Sequence, residues 1–234
     1  MTTQEAQAEL KEYLSLSQDS KEEMDDEIRP IKTLRIPEYN KNIDTYKKAG
    51  MEAIEKGELA LLLLAGGMGT RLGFDGPKGT YPIEENKSIF ECLFDNLRED
   101  IGDRQIPFFV MTSDKNDEAT RSFFKEKNYF GYDPGLIYFF RQDMAPACDF
   151  DEKLLFESED TPATSPNGNG GFFTSLLKAG YGDVLKEKGI RWLNVFGVDN
   201  VLARIADPAF LGAVITEHKS AAVKAVLKKN PSEN

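Results

Sequence analysis

The sequence has few of the residues on which nucleophilic catalysis and disulfide frameworks depend. Its 234 residues include one histidine, His218, and two cysteines, Cys92 and Cys148. No second histidine and no cysteine lie near His218, so Ser–His and Cys–His arrangements have little support. The cysteines occupy unrelated segments without metal-ligand spacing, and we interpret them as two buried thiols. Chemistry that uses a protein nucleophile is therefore not expected.

Positive charge and long apolar runs are also scarce. The chain has 29 lysines and arginines against 40 aspartates and glutamates, which gives a net charge of −11. This charge repels polyanions, so nucleic acid is not an expected partner, and a bound phosphate must be met by a few local cations. The apolar runs are too short to cross a bilayer, so no membrane partner is expected. The polar, acidic start (MTTQEAQAELKEYLSLSQDSKEE) is unlike a targeting peptide, which indicates a cytoplasmic protein.

The sequence does contain an alternation of predicted strands and helices. Helices are predicted over residues 3–18 and 43–58, the second with a stop signal at Gly57, and a surface connector over 20–40 lies between them. From Leu59 onward, strands are predicted within residues 59–67, 106–113, 135–142, 190–200 and 221–229, and a small hairpin within 149–158. Helices are predicted within residues 88–100, 114–127, 170–188 and 207–218, with N-caps at Ser88 and Asp207. This alternation predicts an α/β fold with a mostly parallel sheet and helices on both faces.

The first of these strands runs into a glycine-rich segment, residues 66–79, which we call the glycine loop. Gly66, Gly67 and Gly69 let backbone amides approach a ligand without hindrance from Cβ atoms, as in anion-binding concavities. The loop matches neither G-x-x-x-x-G-K-[ST] nor G-x-G-x-x-G, so it is neither a P-loop nor a dinucleotide fingerprint. Arg71 and Lys78 supply charge for a polyphosphate. The glycines taken alone fit a purely structural turn equally well.

Two further segments carry polar groups suited to a ligand. Residues 165–171, SPNGNGG, are called the asparagine loop, and their amides could pair with a base or a sugar hydroxyl. Asp199 ends a buried strand and is suited to hold Mg²⁺ against substrate phosphates. A flexible loop with a helix cap, and a capping aspartate, are the structural alternatives. The glycine loop, Arg141 with Gln142, and Asp199 all fall at carboxyl ends of predicted strands, where ligands of open α/β sheets bind.

Three motifs resemble one family of enzymes. LAGGMGTRLGFDGPKGTYPI, PNGNGGFF and NVFGVDNVLARIADPAFLGAVI are together similar to the eukaryotic UDP-N-acetylglucosamine pyrophosphorylases, over a stretch from about residue 28 to the end. The PNGNGG element and the VDN…ADP run favour this branch over the related UDP-glucose pyrophosphorylases. The resemblance implies a nucleotidyltransferase of Rossmann-like, GT-A-like fold. Its reaction joins UTP and N-acetylglucosamine 1-phosphate, releases pyrophosphate and uses Mg²⁺.

The resemblance also implies roles for individual residues. Arg71 and Lys78 resemble the catalytic cations on the triphosphate, Asn169 resembles a residue on the sugar side, and Asp199 resembles the Mg²⁺-binding aspartate. Gln142 and Gly168 resemble the positions that read uracil. The full set of nucleotide-binding positions is Leu64, Ala65, Gly66, Gly67, Gly69, Thr70, Lys78, Gln142 and Gly168.

Two regions are expected from the residue patterns and the resemblance together. Residues 1–57 form an N-terminal helical segment, and residues 58–234 form the nucleotide-binding part of the catalytic α/β domain, truncated at its C-terminal end. Weak Mg·UTP binding and negligible synthesis are therefore expected from these residues alone. Two other activities stay open: a UTP-binding or scaffold module without turnover, and a pyrophosphorylase for another sugar nucleotide such as UDP-glucose.

Overall fold

The computed structural model describes residues 1–19, 31, 33–84, 87–227 and 230. The α-helices are α1 (Thr3–Asp19), α2 (Ile36–Lys41), α3 (Ile43–Glu55), α4 (Ile89–Ile101), α5 (Asp117–Glu126), α6 (Phe172–Lys178), α7 (Tyr181–Glu187) and α8 (Pro208–Thr216). The strands are β1 (Leu59–Leu64), β2 (Pro82–Glu84), β3 (Lys87–Ser88), β4 (Phe108–Thr112), β5 (Ile137–Arg141), β6 (Met144–Pro146), β7 (Phe156–Ser158), β8 (Thr161–Pro162), β9 (Thr164–Pro166) and β10 (Trp192–Gly197). Within these ranges, no helix combines the length and the apolar character needed to span a membrane.

Four strands form the central sheet in the order β10-β1-β4-β5, and each neighbouring pair is parallel. Leu59 of β1 pairs with Trp192 of β10, and Leu61 pairs with Phe108 of β4. All four strands lie in segments where the sequence predicts a strand. The mostly parallel sheet is therefore confirmed.

The sheet is buried on both faces. Leu59, Leu61 and Leu63 of β1 belong to a core cluster with side chains of α3, α4, α5 and α8. Ala60 and Leu62 belong to a second cluster, against which α6 and α7 pack. A strand covered on both faces reads as a continuous apolar run, which explains the sequence LALLLL. The predicted helices on both faces are thus confirmed.

The N-terminal helices are confirmed as α1 and α3. Gly57, just after α3, has a φ of 73°, which glycine adopts without strain. Residues 20–30 and 32 of the predicted connector lie outside the described residues. The prediction is wrong for the end of the connector, because α2 lies there. Pro37 is in the first turn of α2, where a helix tolerates proline.

Helix α3 packs closely on α8. A Cβ at Gly50 would lie 1.8 Å from the carbonyl oxygen of Pro208, and one at Gly212 would lie 1.7 Å from that of Tyr46. The Tyr46 hydroxyl also donates a hydrogen bond to the Glu217 carboxylate at 2.8 Å. The first 57 residues therefore contact the helix that follows β10.

Both predicted N-caps are confirmed. The Ser88 hydroxyl accepts from the amide of Glu91 at 3.2 Å, and the Asp207 carboxylate accepts from the amide of Ala209 at 3.0 Å. Burial raises the pKa of Asp207, but the hydrogen bond and charge of Lys224 and the helix amides outweigh it and bring this pKa below its usual range. The cap therefore stays ionised at neutral pH, where it suits the positive end of α8.

Two predicted elements are wrong in form. The helix predicted over 170–188 is divided into α6 and α7, because Gly180 between them has a φ of 82° that a helix cannot contain. The strand predicted over 221–229 is absent from its described part, 221–227. No described strand pairs with this segment, so its backbone has no ladder, and Val223, Val226 and Leu227 are 83%, 93% and 89% exposed.

Smaller predictions are confirmed in part. Within the predicted hairpin, 149–158, Leu154 forms an antiparallel bridge with Cys148 just before that range. Strand β7 forms the end of the range and pairs with β8, which lies beyond it. Cys148 is exposed and Cys92 is half-buried, so the interpretation of two buried thiols is wrong, since this hairpin lies on the surface. His218 is exposed and lies just past the end of α8 instead of within it.

Candidate active site

The predicted site residues leave the central sheet at one edge, where its parallel strands end. β1, β5 and β10 run into the glycine loop, Gln142 and Asp199, respectively. The Val198 amide donates to the Leu64 carbonyl at 3.1 Å, and the Gln142 amide donates to the Thr112 carbonyl at 2.8 Å. These bonds hold the starts of the loops side by side, as expected for the carboxyl ends of a parallel sheet.

The glycine loop is closed on itself. The Gly69 amide donates to the Gly76 carbonyl at 2.8 Å, and the Lys78 amide donates to the Gly67 carbonyl at 3.1 Å. The Phe74 ring lies against both Gly69 and Gly76, because a Cβ at either position would lie 2.7 Å from a ring carbon. Packing alone therefore requires glycine at position 69, whatever the loop binds.

The first part of the loop presents free backbone amides. Within the part of the chain that the structure describes, the amides of Gly66, Gly67 and Met68 donate no hydrogen bond. Gly67 is exposed, and a Cβ built there would meet no atom within 4 Å. Before this segment, Leu64 is half-buried and Ala65 buried, and after it Thr70 is exposed. Free amides on an open surface are what an anion-binding loop requires.

The Asn116 side chain donates hydrogen bonds to backbone carbonyls of this segment, and the residue was not identified from the sequence. Its side chain is buried in the turn before α5 and donates to the carbonyls of Ala65 at 2.9 Å and Gly67 at 3.1 Å. The only signal was an asparagine near the start of the helix predicted within residues 114–127, which is an ordinary position for an N-cap residue.

The charged residues of the site fall into two settings. The Lys78 ammonium contacts the Asp199 carboxylate, and the two side chains are 22% and 71% exposed. Arg71 is exposed in a short 3₁₀ turn, Thr70–Leu72, and makes no ion pair within the described residues. The structure thus joins Lys78 and Asp199, which the sequence places far apart, and leaves Arg71 available to a ligand.

The predicted uracil-reading residues flank the glycine loop. A Cβ at Gly66 would lie 2.9 Å from Nε2 of Gln142, so the Gln142 side chain lies directly over this glycine. The asparagine loop is bonded to Asp143, the residue that follows Gln142, because the Asn167 amide donates to the Asp143 carbonyl at 3.0 Å. Gly168 has a φ of 76° and, like Asn169, is exposed.

Helices α1 and α6 support the asparagine loop. The Asn167 side-chain amide donates to the Tyr13 hydroxyl of α1 at 3.1 Å. Lys178 of α6 pairs with Asp143 at 2.8 Å, and this hydrogen bond raises the pKa of Lys178 above its usual value. The N-terminal helix therefore reaches the same edge of the sheet.

The carboxylate of Asp199 fits the donor chemistry of Mg²⁺. Mg²⁺ prefers oxygen ligands and is typically held by one or two carboxylates together with substrate phosphates. Among the described residues there is no group of three or more His, Cys, Asp or Glu side chains that could hold a metal without a substrate. A metal held by Asp199 would therefore need further oxygen ligands from a bound phosphate group.

The parallel sheet, with loops gathered where its strands end, places the chain among the open α/β proteins, whose ligands bind at that edge. The sequence model of the family described as UTP–glucose-1-phosphate uridylyltransferase matches residues 4–233, and the chain belongs to that family. The match begins in α1, earlier than the residue-28 limit expected from the motifs.

Individual relatives agree with the resemblance seen in the motifs. A UDP-N-acetylglucosamine pyrophosphorylase from Saccharomyces cerevisiae is 38% identical over 203 residues, which are 83% of this chain and 43% of the relative. UDP-N-acetylglucosamine diphosphorylase 2 from Arabidopsis thaliana is 36% identical over 80% of this chain and 40% of its own length. The solved structure of the uridine diphosphate N-acetylglucosamine pyrophosphorylase from Trypanosoma brucei, in complex with an inhibitor, has a TM-score of 0.71 and 32% identity, and the match covers 89% of this chain and 45% of that one. The chain spans about two-fifths of the length of these curated relatives.

Proposed function

We propose that this chain carries the nucleotide-binding part of a uridylyltransferase. The reaction joins UTP and N-acetylglucosamine 1-phosphate to give UDP-N-acetylglucosamine and pyrophosphate. The observation that carries the proposal is the meeting of the open glycine loop, Lys78 and Asp199 at one edge of the sheet. The printed names of the relatives support N-acetylglucosamine as the sugar.

The chemistry requires alignment and charge neutralisation. A phosphate oxygen of the sugar phosphate attacks the α-phosphorus of UTP and forms a new P–O bond. The bond from the α-phosphorus to the bridging oxygen breaks, and pyrophosphate leaves with the electron pair. Such a displacement is catalysed by positioning and by preorganised charge, without a protein nucleophile.

Each element at the sheet edge has a part in this scheme. Leu64 and Ala65 lead into the glycine loop and Thr70 lies within it, and the amides of this loop bind phosphate oxygens. Arg71 and Lys78 neutralise the triphosphate, and Gln142 with the Gly168 backbone reads the uracil edge. Asn169, on the exposed asparagine loop, contacts the sugar side.

Asp199 would hold Mg²⁺ in the loaded site. The metal, when bound, neutralises charge on the phosphate groups. The contact between Lys78 and Asp199 supports a shared task, because the two side chains reach the same point from different loops. In the loaded site, the Lys78 ammonium would turn from this carboxylate to phosphate oxygens.

Nucleotide binding is tested by titrating the chain with UTP and CTP, with and without Mg²⁺. We expect UTP to bind more tightly, because cytosine has an amino donor where uracil has a carbonyl acceptor and an N3 acceptor where uracil has an N–H donor. CTP therefore leaves the protein groups that read uracil unpaired in the complex, at a cost of about 1–3 kcal/mol. Equal affinity for the two nucleotides would contradict the assignment of Gln142 and Gly168.

Transfer is tested by pyrophosphate release with UTP and either sugar phosphate. The chain alone is compared with a chimaera in which it replaces the aligned part of the S. cerevisiae relative. Activity of the chimaera with N-acetylglucosamine 1-phosphate supports the proposal. Preference for glucose 1-phosphate would assign the other sugar, and UTP binding without turnover in the chimaera would indicate a binding module.

A further inference from the structure

We propose that Asn116 is a positioning residue that turns two backbone amides of the glycine loop toward the nucleotide. The inference rests on the proposed function, since it assigns those amides to phosphate oxygens of UTP. Asn116 is 1% exposed and lies in the turn between β4 and α5, beneath the loop.

The Asn116 side chain is held in one orientation. Its Oδ1 accepts from the Ser113 amide at 2.8 Å, and its Nδ2 donates to the carbonyls of Ala65 at 2.9 Å and Gly67 at 3.1 Å. A flipped amide would place its NH₂ group against an N–H donor and its oxygen against two carbonyl oxygens. The network therefore admits a single arrangement, and it needs a side chain with both an acceptor and a double donor.

Peptide geometry carries this arrangement to the surface of the loop. The carbonyl of one residue and the amide of the next lie in one planar trans peptide and point in opposite directions. The described residues contain no cis peptide bond. Carbonyls of Ala65 and Gly67 that point at Asn116 therefore direct the amides of Gly66 and Met68 away from it, toward the open side of the loop. Neither amide has a hydrogen-bond acceptor within the described residues.

One buried side chain thus sets two peptides that are separated by a single residue. The Lys78 amide also donates to the Gly67 carbonyl, whereas Asn116 is the only donor to the Ala65 carbonyl among the described residues. Aspartate has the shape of asparagine without its donors. Asn116→Asp would set a carboxylate against two carbonyl oxygens, which would release both peptides from their orientation.

The test compares the unaltered protein with Asn116→Asp and Asn116→Ala. Each is titrated with Mg·UTP, inorganic triphosphate and uridine, and the amide proton resonances of Gly66 and Met68 are followed by NMR. We expect both variants to lose roughly tenfold to a hundredfold in affinity for UTP and triphosphate, the range for one lost charge-assisted hydrogen bond. Uridine should bind almost unchanged. The two resonances should respond to triphosphate in the unaltered protein and not in the variants.

Tyr132→Phe is the matched control. The buried Tyr132 hydroxyl accepts from the Ile106 amide and donates to the Ile106 carbonyl, both at 2.7 Å, near the opposite edge of the sheet. Its removal should lower the melting temperature without changing triphosphate affinity or the two resonances. A merely structural role for Asn116 would give the same pattern.

Three results would overturn the inference. The first is an affinity for triphosphate in Asn116→Ala that equals that of the unaltered protein. This variant adds no charge to the site, so the comparison is valid even if Asn116→Asp does not fold. The second is binding of triphosphate by the unaltered protein without a response from Gly66 and Met68. The third is absence of UTP binding by the unaltered protein, which alone would refute the proposed function as well.

Discussion

The variant Gly67→Ala tests whether glycine is needed at position 67 for ligand binding or for the fold. Gly67 is exposed, and an added Cβ meets no atom of the chain within 4 Å. Its φ is outside the left-handed range, so alanine can adopt its conformation. Alanine at a compatible glycine position stabilises a protein by about 0.4–1 kcal/mol, because the unfolded chain loses freedom. For a protein of this length, that corresponds to a rise in melting temperature of about 1–4 °C.

The same methyl group should weaken nucleotide binding. If triphosphate oxygens lie on the loop amides at hydrogen-bond distance, about 3 Å, then a Cβ on Gly67 occupies part of the surface they need. Loss of one hydrogen bond to a charged group costs about 1.5–3 kcal/mol, which is roughly tenfold to a hundredfold in affinity. We therefore expect opposite signs: a slightly more stable free protein and a much weaker complex.

Gly79→Ala is the matched control for the fold. A Cβ at Gly79 would lie 2.0 Å from Cζ of the buried Phe90 ring, so the ring or the backbone must move, at a cost of about 1–3 kcal/mol or more. Thermal melting with and without Mg·UTP, together with calorimetric titration, measures both effects. If Gly67→Ala binds Mg·UTP as tightly as the unaltered protein, the glycine loop does not hold phosphate as reasoned here.

Three further predictions concern single side chains. Lys78→Ala should lower the affinity for UTP by about tenfold or more and the affinity for uridine much less, since the ammonium is expected to contact the phosphates. An equal loss of affinity for both in calorimetric titrations would contradict the assignment. Asp199→Asn should abolish the enhancement of UTP binding by Mg²⁺. Binding of UTP without metal should stay the same or improve, because Lys78 loses its ionic partner. An unchanged Mg²⁺ titration would show that Asp199 is only a capping residue. Burial raises the pKa of Tyr132 from 10.0 to about 12, so the folded state favours the neutral phenol, and the stability that this supplies is present below pH 10 and lost as the pH rises toward 12. Urea melts of the unaltered protein should show that loss, about 2–3 kcal/mol, and melts of Tyr132→Phe should lack this contribution.

The sequence predicts those parts of the fold that depend on local pattern. Three such features each depend on residues that are close together in the sequence: the apolar run of β1, the caps at Ser88 and Asp207, and the alternation of strands with helices. The gathering of the glycine loop, Gln142 and Asp199 at one edge follows from the rule for parallel sheets. These features needed no knowledge of distant contacts.

The missed features depend on partners that lie far apart in the chain. The contact between Lys78 and Asp199, and the grip of Asn116 on Ala65 and Gly67, join residues from different loops. The apolar residues at 221–227 resemble a strand, but a strand exists only where another strand pairs with it. Gly180 shows the reverse case, since a helical pattern of side chains continued across a residue whose backbone breaks the helix.

The order of strands in the sheet has a consequence for how the chain assembles. β1 pairs with β4 on one side and with β10 on the other, and β10 is the last strand of the chain to be described. While the protein is being synthesised, β1 therefore has one unpaired edge until residues 192–197 emerge. Contacts between such distant segments form late and slow folding. The glycine loop is thus made early in translation and Asp199 is added late. Under the proposed function, a nascent chain without β10 would bind UTP poorly, and its affinity for Mg·UTP would rise only when β10 pairs with β1.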